Sequence, residues 1–214
     1  EISCSLVGSE MCIRDRNCGE QQKWFEHFPG EKTIRVPFTY ETKLSGIQEE
    51  TRHDAVWYRR TVQVDGARLK NQRYVIHFEG SDFLTKLWVN GQYVGCHRGG
   101  YARFSFDLTD LVRDGENELT VKVEDSFDMQ QPRGKQRWIE ENFGCWYVQT
   151  TGIWKTVWTE YVPKARLECV KMTPDLKSHS LKLEYEVLAP ESMWDGDLPV
   201  SYTHLRAHET AANL

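Results

Sequence analysis

A polar and aromatic segment between two predicted strands, residues 131–147, holds the side chains of this sequence best suited to bind a small polar ligand. Three of its side chains are donors that can hydrogen-bond to sugar hydroxyl groups or to a carboxylate: Arg133, Lys135 and Gln136. Trp146 and Tyr147 offer flat faces that can stack on a pyranose ring. Long loops in compact domains are often functional. The alternative is that Trp146 and Tyr147 only pack the loop onto the core.

A second candidate loop is formed by His97 and Arg98 with the glycines at positions 99 and 100. Glycines there can also simply supply turn geometry. The remaining histidines outside the chain ends are dispersed along the sequence, and we interpret each as a structural residue rather than a ligand.

Both ends of the chain match a transposase adaptor used in sequencing libraries. Residues 11–16 read MCIRDR, the translation of ATG TGT ATA AGA GAC AG, and residues 6–10 continue the same frame upstream. Residues 200–210 read VSYTHLRAHET, the translation of the reverse complement. We therefore interpret residues 1–16 and 200–214 as translated adaptor and exclude them from fold reasoning.

This exclusion removes one possible metal site. His204 and His208 have a spacing that on a helix could place two imidazoles on one metal ion, but both lie in the adaptor segment. Outside the adaptor segments the cysteines are Cys18, Cys96, Cys145 and Cys169, and they form no C-x-x-C motif. We expect no metal and no cofactor, and we interpret these cysteines as reduced, partly buried thiols of a cytoplasmic, bacterial protein.

The composition excludes several classes of partner. The formal net charge is −5 with both signs interspersed, so we expect no nucleic-acid and no anionic-membrane partner. The apolar stretches are too short to span a bilayer. Eight Trp, nine Tyr and nine Phe are typical of sandwich cores and of surfaces that stack on carbohydrate.

Short alternating segments predict strands along the chain. Tyr74, Ile76 and Phe78 share one face, and residues 83–89 alternate again. Asn90-Gly91 then predicts a type I′ hairpin turn. Further strands are predicted around Leu119–Val123 and over Ile153–Val162, with no long amphipathic helix between them. The pattern predicts an all-β protein with an antiparallel, jelly-roll-like β-sandwich over residues 17–162.

A second unit is predicted after Pro163. Two further strands cover Leu167–Met172 and Leu181–Val187, and the second of these alternates regularly. Two strands cannot close a core by themselves. We therefore predict that residues 163–199 are the truncated start of a second, immunoglobulin-like β-sandwich.

Several motifs, in a shared order and spacing, resemble family 2 of the glycoside hydrolases. They cover roughly residues 20–162 and are Val36-Pro37-Phe38, Trp57-Tyr58-Arg59-Arg60, the run from Leu87 to Gly95, His97 with Gly99-Gly100-Tyr101, Phe104 with Phe106-Asp107-Leu108-Thr109, Gly115-Glu116-Asn117-Glu118-Leu119, and the run from Thr151 to Trp158. The matching part of that family is the N-terminal sugar-binding domain of enzymes of the β-galactosidase and β-glucuronidase type.

The resemblance implies a parent enzyme that is a retaining glycosidase acting on β-linked sugars, with two catalytic glutamates in a separate TIM barrel. Retaining hydrolysis requires two carboxyl groups about 5–5.5 Å apart. The resemblance implies that no catalytic residue lies in this chain. It also implies that the jelly roll lends residues 131–147 to the rim of the sugar pocket and that the intact enzyme could be a homo-oligomer. The position where well-known members have a sugar-contacting aspartate falls on Trp146.

Two other functions fit the same strands. Jelly rolls also serve as stand-alone carbohydrate-binding modules, although the strands after Pro163 argue against one isolated domain. A structural sandwich of a surface protein is the third reading, and the cysteines that form no evident pairs make it less attractive. Acidic residues such as Asp107, Asp110 and Glu124 are interpreted as turn, cap and strand-edge residues.

Overall fold

The computed structural model describes residues 7–12, 18–30, 32–127 and 130–190. The chain forms two compact units, Glu1–Tyr161 and Val162–Leu214. In the described residues the strands are β1 (Val7–Cys12), β2 (Lys32–Arg35), β3 (Ala55–Val64), β4 (Gln72–Phe78), β5 (Ser81–Asp82), β6 (Leu84–Val89), β7 (Gln92–Arg98), β8 (Phe104–Asp107), β9 (Gly115–Glu124), β10 (Gly152–Ile153), β11 (Val157–Pro163), β12 (Arg166–Asp175) and β13 (Ser180–Leu188). Two single-turn 3-10 helices cover Lys43–Ser45 and Arg68–Lys70.

The first unit is a sandwich of antiparallel sheets. A six-stranded sheet has the order β2-β1-β3-β9-β6-β7, and a three-stranded sheet has the order β11-β4-β8. The short strands β10 and β5 pair with each other. One buried apolar cluster joins side chains of both larger sheets, among them Tyr58 and Leu87 from the first and Ile76 and Phe78 from the second. This confirms the predicted all-β, antiparallel sandwich, because alternating strands bury one face of each sheet against the other.

The outer face of the six-stranded sheet is covered by the chain segment that precedes β2. Trp57 and Trp88 project from this face and stack at 5.3 Å between ring centroids. Trp24 meets Trp57 edge-on at 5.8 Å. Lys122 lies beside them with 1% of its side chain exposed, and its Nζ atom contacts a carboxylate oxygen of Glu20 at 2.9 Å. The Trp-containing N-terminal stretch therefore shields a second apolar cluster.

Strand β1 lies between β2 and β3, although its residues belong to the segment interpreted as translated adaptor. Met11 packs in the core between the sheets, whereas Cys12 joins the outer cluster. The ladder that holds a strand is made by main-chain groups, which many sequences can supply. The assignment of residues 1–16 to an adaptor stays a prediction. The gene sequence upstream of residue 17, read without a transposase library, tests it.

One predicted strand proves to be two. The prediction of a single strand over Ile153–Val162 was wrong, because β10 ends at Ile153 and β11 begins at Val157. The main-chain N–H groups of Trp154 and Lys155 both donate to the carbonyl oxygen of Gly80, at 3.3 and 3.2 Å. These bonds turn the chain from the small β10–β5 sheet into the three-stranded sheet.

The second unit is described as the hairpin of β12 and β13. Directly opposed pairs on one face are apolar: Val170 with Tyr185, Met172 with Leu183, and Pro174 with Leu181. Large side chains of this face are exposed, including 65% of Met172 and 49% of Tyr185. The opposite face carries charged pairs such as Lys171 with Glu184. The predicted alternation is therefore present, with its apolar face uncovered by described residues.

The hairpin between β6 and β7 has the predicted turn. Asn90 and Gly91 both adopt positive φ, at 51° and 80°, as a type I′ turn requires. We expect Gly91→Ala to lower the free energy of unfolding by about 1–2 kcal/mol, because a side chain at positive φ is strained. Urea unfolding measures this change. The exposed neighbour Gln92 supplies the control, since Gln92→Ala should change stability by less than about 0.5 kcal/mol. Equal effects of the two substitutions would contradict the expectation.

Candidate functional site

The candidate site is the long connection between β9 and β10, and we call residues 130–151 the long loop. A buried carboxylate joins its two ends. Asp125 directly follows β9 and is 1% exposed. Its Oδ2 atom accepts a hydrogen bond from the Thr151 hydroxyl at 2.8 Å. Its Oδ1 atom accepts from the Gln131 amide and from Arg133 Nη1, the latter at 3.3 Å.

A second buried acid holds the middle of the long loop. Asp82 of β5 accepts a hydrogen bond at Oδ2 from Gln136 Nε2 at 3.0 Å. The other end of the same amide, Gln136 Oε1, accepts from the main-chain N–H of Thr150 at 2.8 Å. Gln136 also pairs with Tyr147 in an isolated bridge. The outgoing and returning limbs of the long loop are thus tied to each other and to the sandwich.

Arg137 braces the inside of the long loop, and we did not predict this role. It is 6% exposed. Its guanidinium group donates to Gln149 Oε1 at 2.7 Å, to Asn142 Oδ1 at 3.0 Å and to the carbonyl oxygen of Glu50 at 3.3 Å. The sequence around Arg137 carries no signal that separates it from its neighbours, because one of its partners is the main-chain carbonyl oxygen of the distant Glu50.

The outward face of the long loop is aromatic. Trp138, Phe143 and Trp146 form what we call the aromatic patch. Trp138 meets Trp146 edge-on at 4.4 Å and Phe143 at 5.0 Å between ring centroids. Trp138 is 45% exposed and the neighbouring Tyr147 is 64% exposed. Flat rings held in mutual contact and partly open to solvent are suited to stacking on an apolar sugar face.

The predicted rim residues divide into two groups in the structure. Arg133 and Gln136 face inward, because their donors are engaged by Asp125, the Ser126 carbonyl oxygen and Asp82. Lys135 and Tyr147 are exposed, and Trp146 is half-buried in the aromatic patch. Of the predicted rim residues, Lys135, Trp146 and Tyr147 are therefore the ones with side chains open or partly open to solvent.

The second predicted loop is partly a strand. His97 and Arg98 are the last residues of β7, so their assignment to a loop was wrong. The His97 ring stacks on Phe104 at 4.0 Å, and Arg98 Nη2 donates to the carbonyl oxygen of Gln130 at 3.1 Å. The expected partial burial of the cysteines was also wrong for Cys96, Cys145 and Cys169, whose residues are exposed.

Glu41 is a third buried acid at the base of the long loop. Its Oε1 atom accepts from the main-chain N–H of Thr151 at 3.0 Å. Burial raises the pKa of Glu41 to about 7, and the charge of Asp125 adds to the effect. Burial likewise raises the pKa of Asp82 to about 6, again with a contribution from Asp125. The two acids therefore hold protons more tightly in the folded protein than in water.

Neither a metal centre nor a membrane segment is found in the described part of the chain. Among residues 7–12, 18–30, 32–127 and 130–190, no group of three or more His, Cys, Asp or Glu side chains could hold a metal ion. No helix in those ranges is long and apolar enough to cross a membrane.

The family model described as "Glycosyl hydrolases family 2, sugar binding domain" matches residues 9–163. The chain belongs to this family. The match spans the sandwich and the whole long loop. It also includes residues 9–16 of the segment interpreted as translated adaptor.

Relatives of this sugar-binding domain occur in glycosidases. The chain is 29% identical over 160 residues to a putative beta-glucuronidase of Formosa agariphila. This alignment covers 74% of this chain and 18% of the relative. It is 32% identical over 131 residues to a beta-galactosidase of Thermoanaerobacter pseudethanolicus, and this alignment covers 60% of this chain and 17% of the relative. The chain thus spans less than a fifth of the length of either relative.

A solved structure has the same fold. The beta-glucuronidase of an uncultured Clostridium sp. superposes with a TM-score of 0.68 and 25% sequence identity, over 89% of this chain and 34% of that one. Beta-glucuronidase structures from Ruminococcus gnavus also superpose, with a TM-score of 0.69 and 16% identity in one case. These superpositions place the sandwich in the fold of the family.

The burial of Glu41 predicts a pH dependence of stability. Because its folded pKa is raised from 4.5 to about 7, the folded state binds the proton more tightly than the unfolded state. Stability therefore falls as pH rises through this window, by up to about 3 kcal/mol from this group. We expect Glu41→Gln to reduce the loss of stability between pH 5 and pH 8, measured by urea unfolding. The exposed Glu141 is the control, and Glu141→Gln should leave the pH profile unchanged. A Glu41→Gln profile identical to that of the parent protein would refute the expectation.

Proposed function

We propose that this chain is the non-catalytic, sugar-facing sandwich of a larger retaining glycosidase that hydrolyses β-linked sugars. The family membership and the names of the relatives support the substrate class. The outward aromatic patch, held on a loop that is tied down at both ends, is the observation that carries the proposal. Rings that are fixed before the ligand arrives lose little conformational freedom on binding.

The three acids at the base of the long loop are not open to substrate. A retaining enzyme uses one carboxyl group as acid and base and a second as nucleophile, on either side of the bond that is cleaved. Glu41, Asp82 and Asp125 are buried and bonded to the base of the long loop. We therefore place catalysis in another part of the parent protein, and this chain contributes scaffold and rim.

In the rim, Lys135 and Tyr147 would donate to sugar hydroxyl or carboxylate groups, while the face of Trp146 would stack on the ring. Arg133 and Gln136 would keep these side chains in place rather than touch the sugar. This division of roles follows from their partners, since Arg133 and Gln136 already donate to buried oxygen atoms.

We further propose that residues 163–199 begin an immunoglobulin-like second sandwich. The exposed apolar face of the β12–β13 hairpin supports this, because an isolated two-stranded hairpin is at best marginally stable in water. The exposed Cys96, Cys145 and Cys169 fit a reducing compartment, and we propose the cytoplasm.

The first test is catalytic activity of the 214-residue chain on a panel of aryl β-galactosides and β-glucuronides. We expect no turnover above the buffer rate, because the chain spans less than a fifth of the length of its glycosidase relatives. Measurable hydrolysis that co-purifies with the chain would overturn the proposal that catalysis lies elsewhere.

The second test is Trp146→Ala in the intact parent enzyme. Loss of a stacking face should lower kcat/KM by up to about tenfold, since a stacking contact with an aromatic ring is worth about 0.5–1.5 kcal/mol and about 1.4 kcal/mol corresponds to tenfold. Tyr93→Ala, which removes a 54% exposed ring of β7 next to the β6–β7 turn, is the matched control and should leave kcat/KM unchanged. If Trp146→Ala also leaves kcat/KM unchanged, Trp146 is a packing residue and the rim proposal fails.

A further inference from the structure

Three buried carboxyl groups lie at the base of the long loop, and we call Glu41, Asp82 and Asp125 the buried acid cluster; the charge of Asp125 acts on both of the others. They come from three separate parts of the sandwich and are 8%, 2% and 1% exposed, respectively. All three accept hydrogen bonds from the long loop, at its start, its middle and its end. Side-chain carboxyl groups of the sandwich are therefore the acceptors of the hydrogen bonds that hold the long loop on it.

The cluster contains more negative than positive partners. Within the described chain, the guanidinium group that bonds to the cluster is that of Arg133, which reaches Asp125. Arg133 also lowers the pKa of Asp82 through its charge, but less than burial and Asp125 raise it. The other guanidinium group of the long loop, on Arg137, donates to neutral oxygen atoms. Three buried carboxylates with one bonded guanidinium group repel one another when all are charged.

Two oxygen atoms of the cluster lack a hydrogen-bond donor among the described residues, namely Asp82 Oδ1 and Glu41 Oε2. Both belong to residues that are at least nine-tenths buried. A buried, charged oxygen without a donor is costly, whereas the protonated acid is much less so. The other titratable groups facing Glu41 are the hydroxyl groups of Tyr40 and Tyr58, which are buried and carry no compensating positive charge.

We propose that Asp82 and Asp125 are positioning residues for the long loop, and that uptake of one proton by Asp82 below neutral pH tightens the docking of the loop on the sandwich. This inference rests on the proposed function, because the docked loop is what presents the aromatic patch and Tyr147 to a sugar. Neutral Asp82 keeps Oδ2 as an acceptor for Gln136 while its repulsion of Asp125 disappears.

The sign of the effect follows from proton binding. The docked state holds the proton on Asp82 up to about pH 6, whereas a loop that has lifted off exposes the carboxyl group to water and returns its pKa towards 3.8. Docking is therefore strongest at acidic pH and weakens as pH rises through this window. The difference between the pKa of Asp82 in the docked state and in the lifted state can change the docking equilibrium by tenfold or more.

Hydrogen exchange of the 214-residue chain measures docking directly. The protection factor of residues 130–151, corrected for the intrinsic exchange rate, should fall at least about tenfold between pH 5 and pH 8. The β3–β9 ladder in the centre of the six-stranded sheet is the internal reference. In Asp82→Asn, which mimics the protonated acid, the fall in protection between pH 5 and pH 8 should be about tenfold smaller than in the parent chain, and the fall that remains belongs to Glu41, which titrates in the same window. Asp110→Asn, at an exposed turn position, should behave like the parent chain.

The variant Asp125→Ala distinguishes the role of Asp125 in positioning the long loop from the titration of Asp82. It removes the acceptor for Thr151, Gln131 and Arg133, so we expect the protection of residues 130–151 to be low at both pH values. If any aspartate variant fails to fold, the pH series of the parent chain alone decides. Protection of residues 130–151 that follows the β3–β9 reference at every pH would overturn the proposal.

These outcomes are independent of the proposed function, because exchange is measured without sugar. If docking responds to pH as expected and Trp146→Ala leaves kcat/KM of the intact enzyme unchanged, the proposed sugar rim is rejected and the proton-dependent docking is retained. If docking does not respond to pH and Trp146→Ala lowers kcat/KM tenfold, the proton-dependent docking is rejected and the sugar rim is retained.

Discussion

The hydrogen bonds of Asp125 to Thr151 and to the first residues of the long loop are the interaction on which the candidate site depends. Closing a loop of this length costs conformational entropy, and ordering each of its residues costs more. A single buried carboxylate contacts both ends and so offsets part of that cost where β9 stops and β10 begins. With the ends closed in this way, Gln136 joins the two limbs to each other and to Asp82 of β5.

The same closure separates two kinds of polar residue in the long loop. Arg133, Gln136 and Arg137 point inward and satisfy buried acceptors, so they shape the loop. Lys135 and Tyr147 point outward beside the aromatic patch and have the freedom to meet a ligand. Glycine at position 152 completes the base: its φ is +104°, and a side chain there would collide with the Tyr58 hydroxyl, which accepts from the N–H of Ile153.

Local patterns were sufficient to predict the sandwich. Alternation with a period of two is dictated by strand geometry, so Tyr74, Ile76 and Phe78 could be assigned to the core before the fold was known. The turn at Asn90-Gly91 was predictable for a similar reason, because few dipeptides tolerate two successive positive φ angles. The break between β10 and β11 was not predictable, since it depends on two bonds to the carbonyl oxygen of the distant Gly80.

The candidate site was predictable only as a stretch of chain. Its composition pointed to residues 131–147, but the direction of each side chain depends on acids elsewhere in the sequence, such as Asp82 for Gln136. Arg137 was missed because its role is defined by the amide oxygens of Gln149 and Asn142 and the main-chain carbonyl oxygen of Glu50. Sequence patterns indicate which face of a strand is buried, but they carry little information about which loop residues contact distant parts of the chain.

The central claim is that the outward face of the long loop touches the sugar. A crystal structure of the intact parent protein with a bound substrate analogue tests it most directly. The account predicts that an atom of Lys135, Trp146 or Tyr147 lies within about 4 Å of the sugar, which is contact distance. A sugar bound in the pocket with every atom of the long loop more than about 8 Å away, well beyond contact distance, would contradict it.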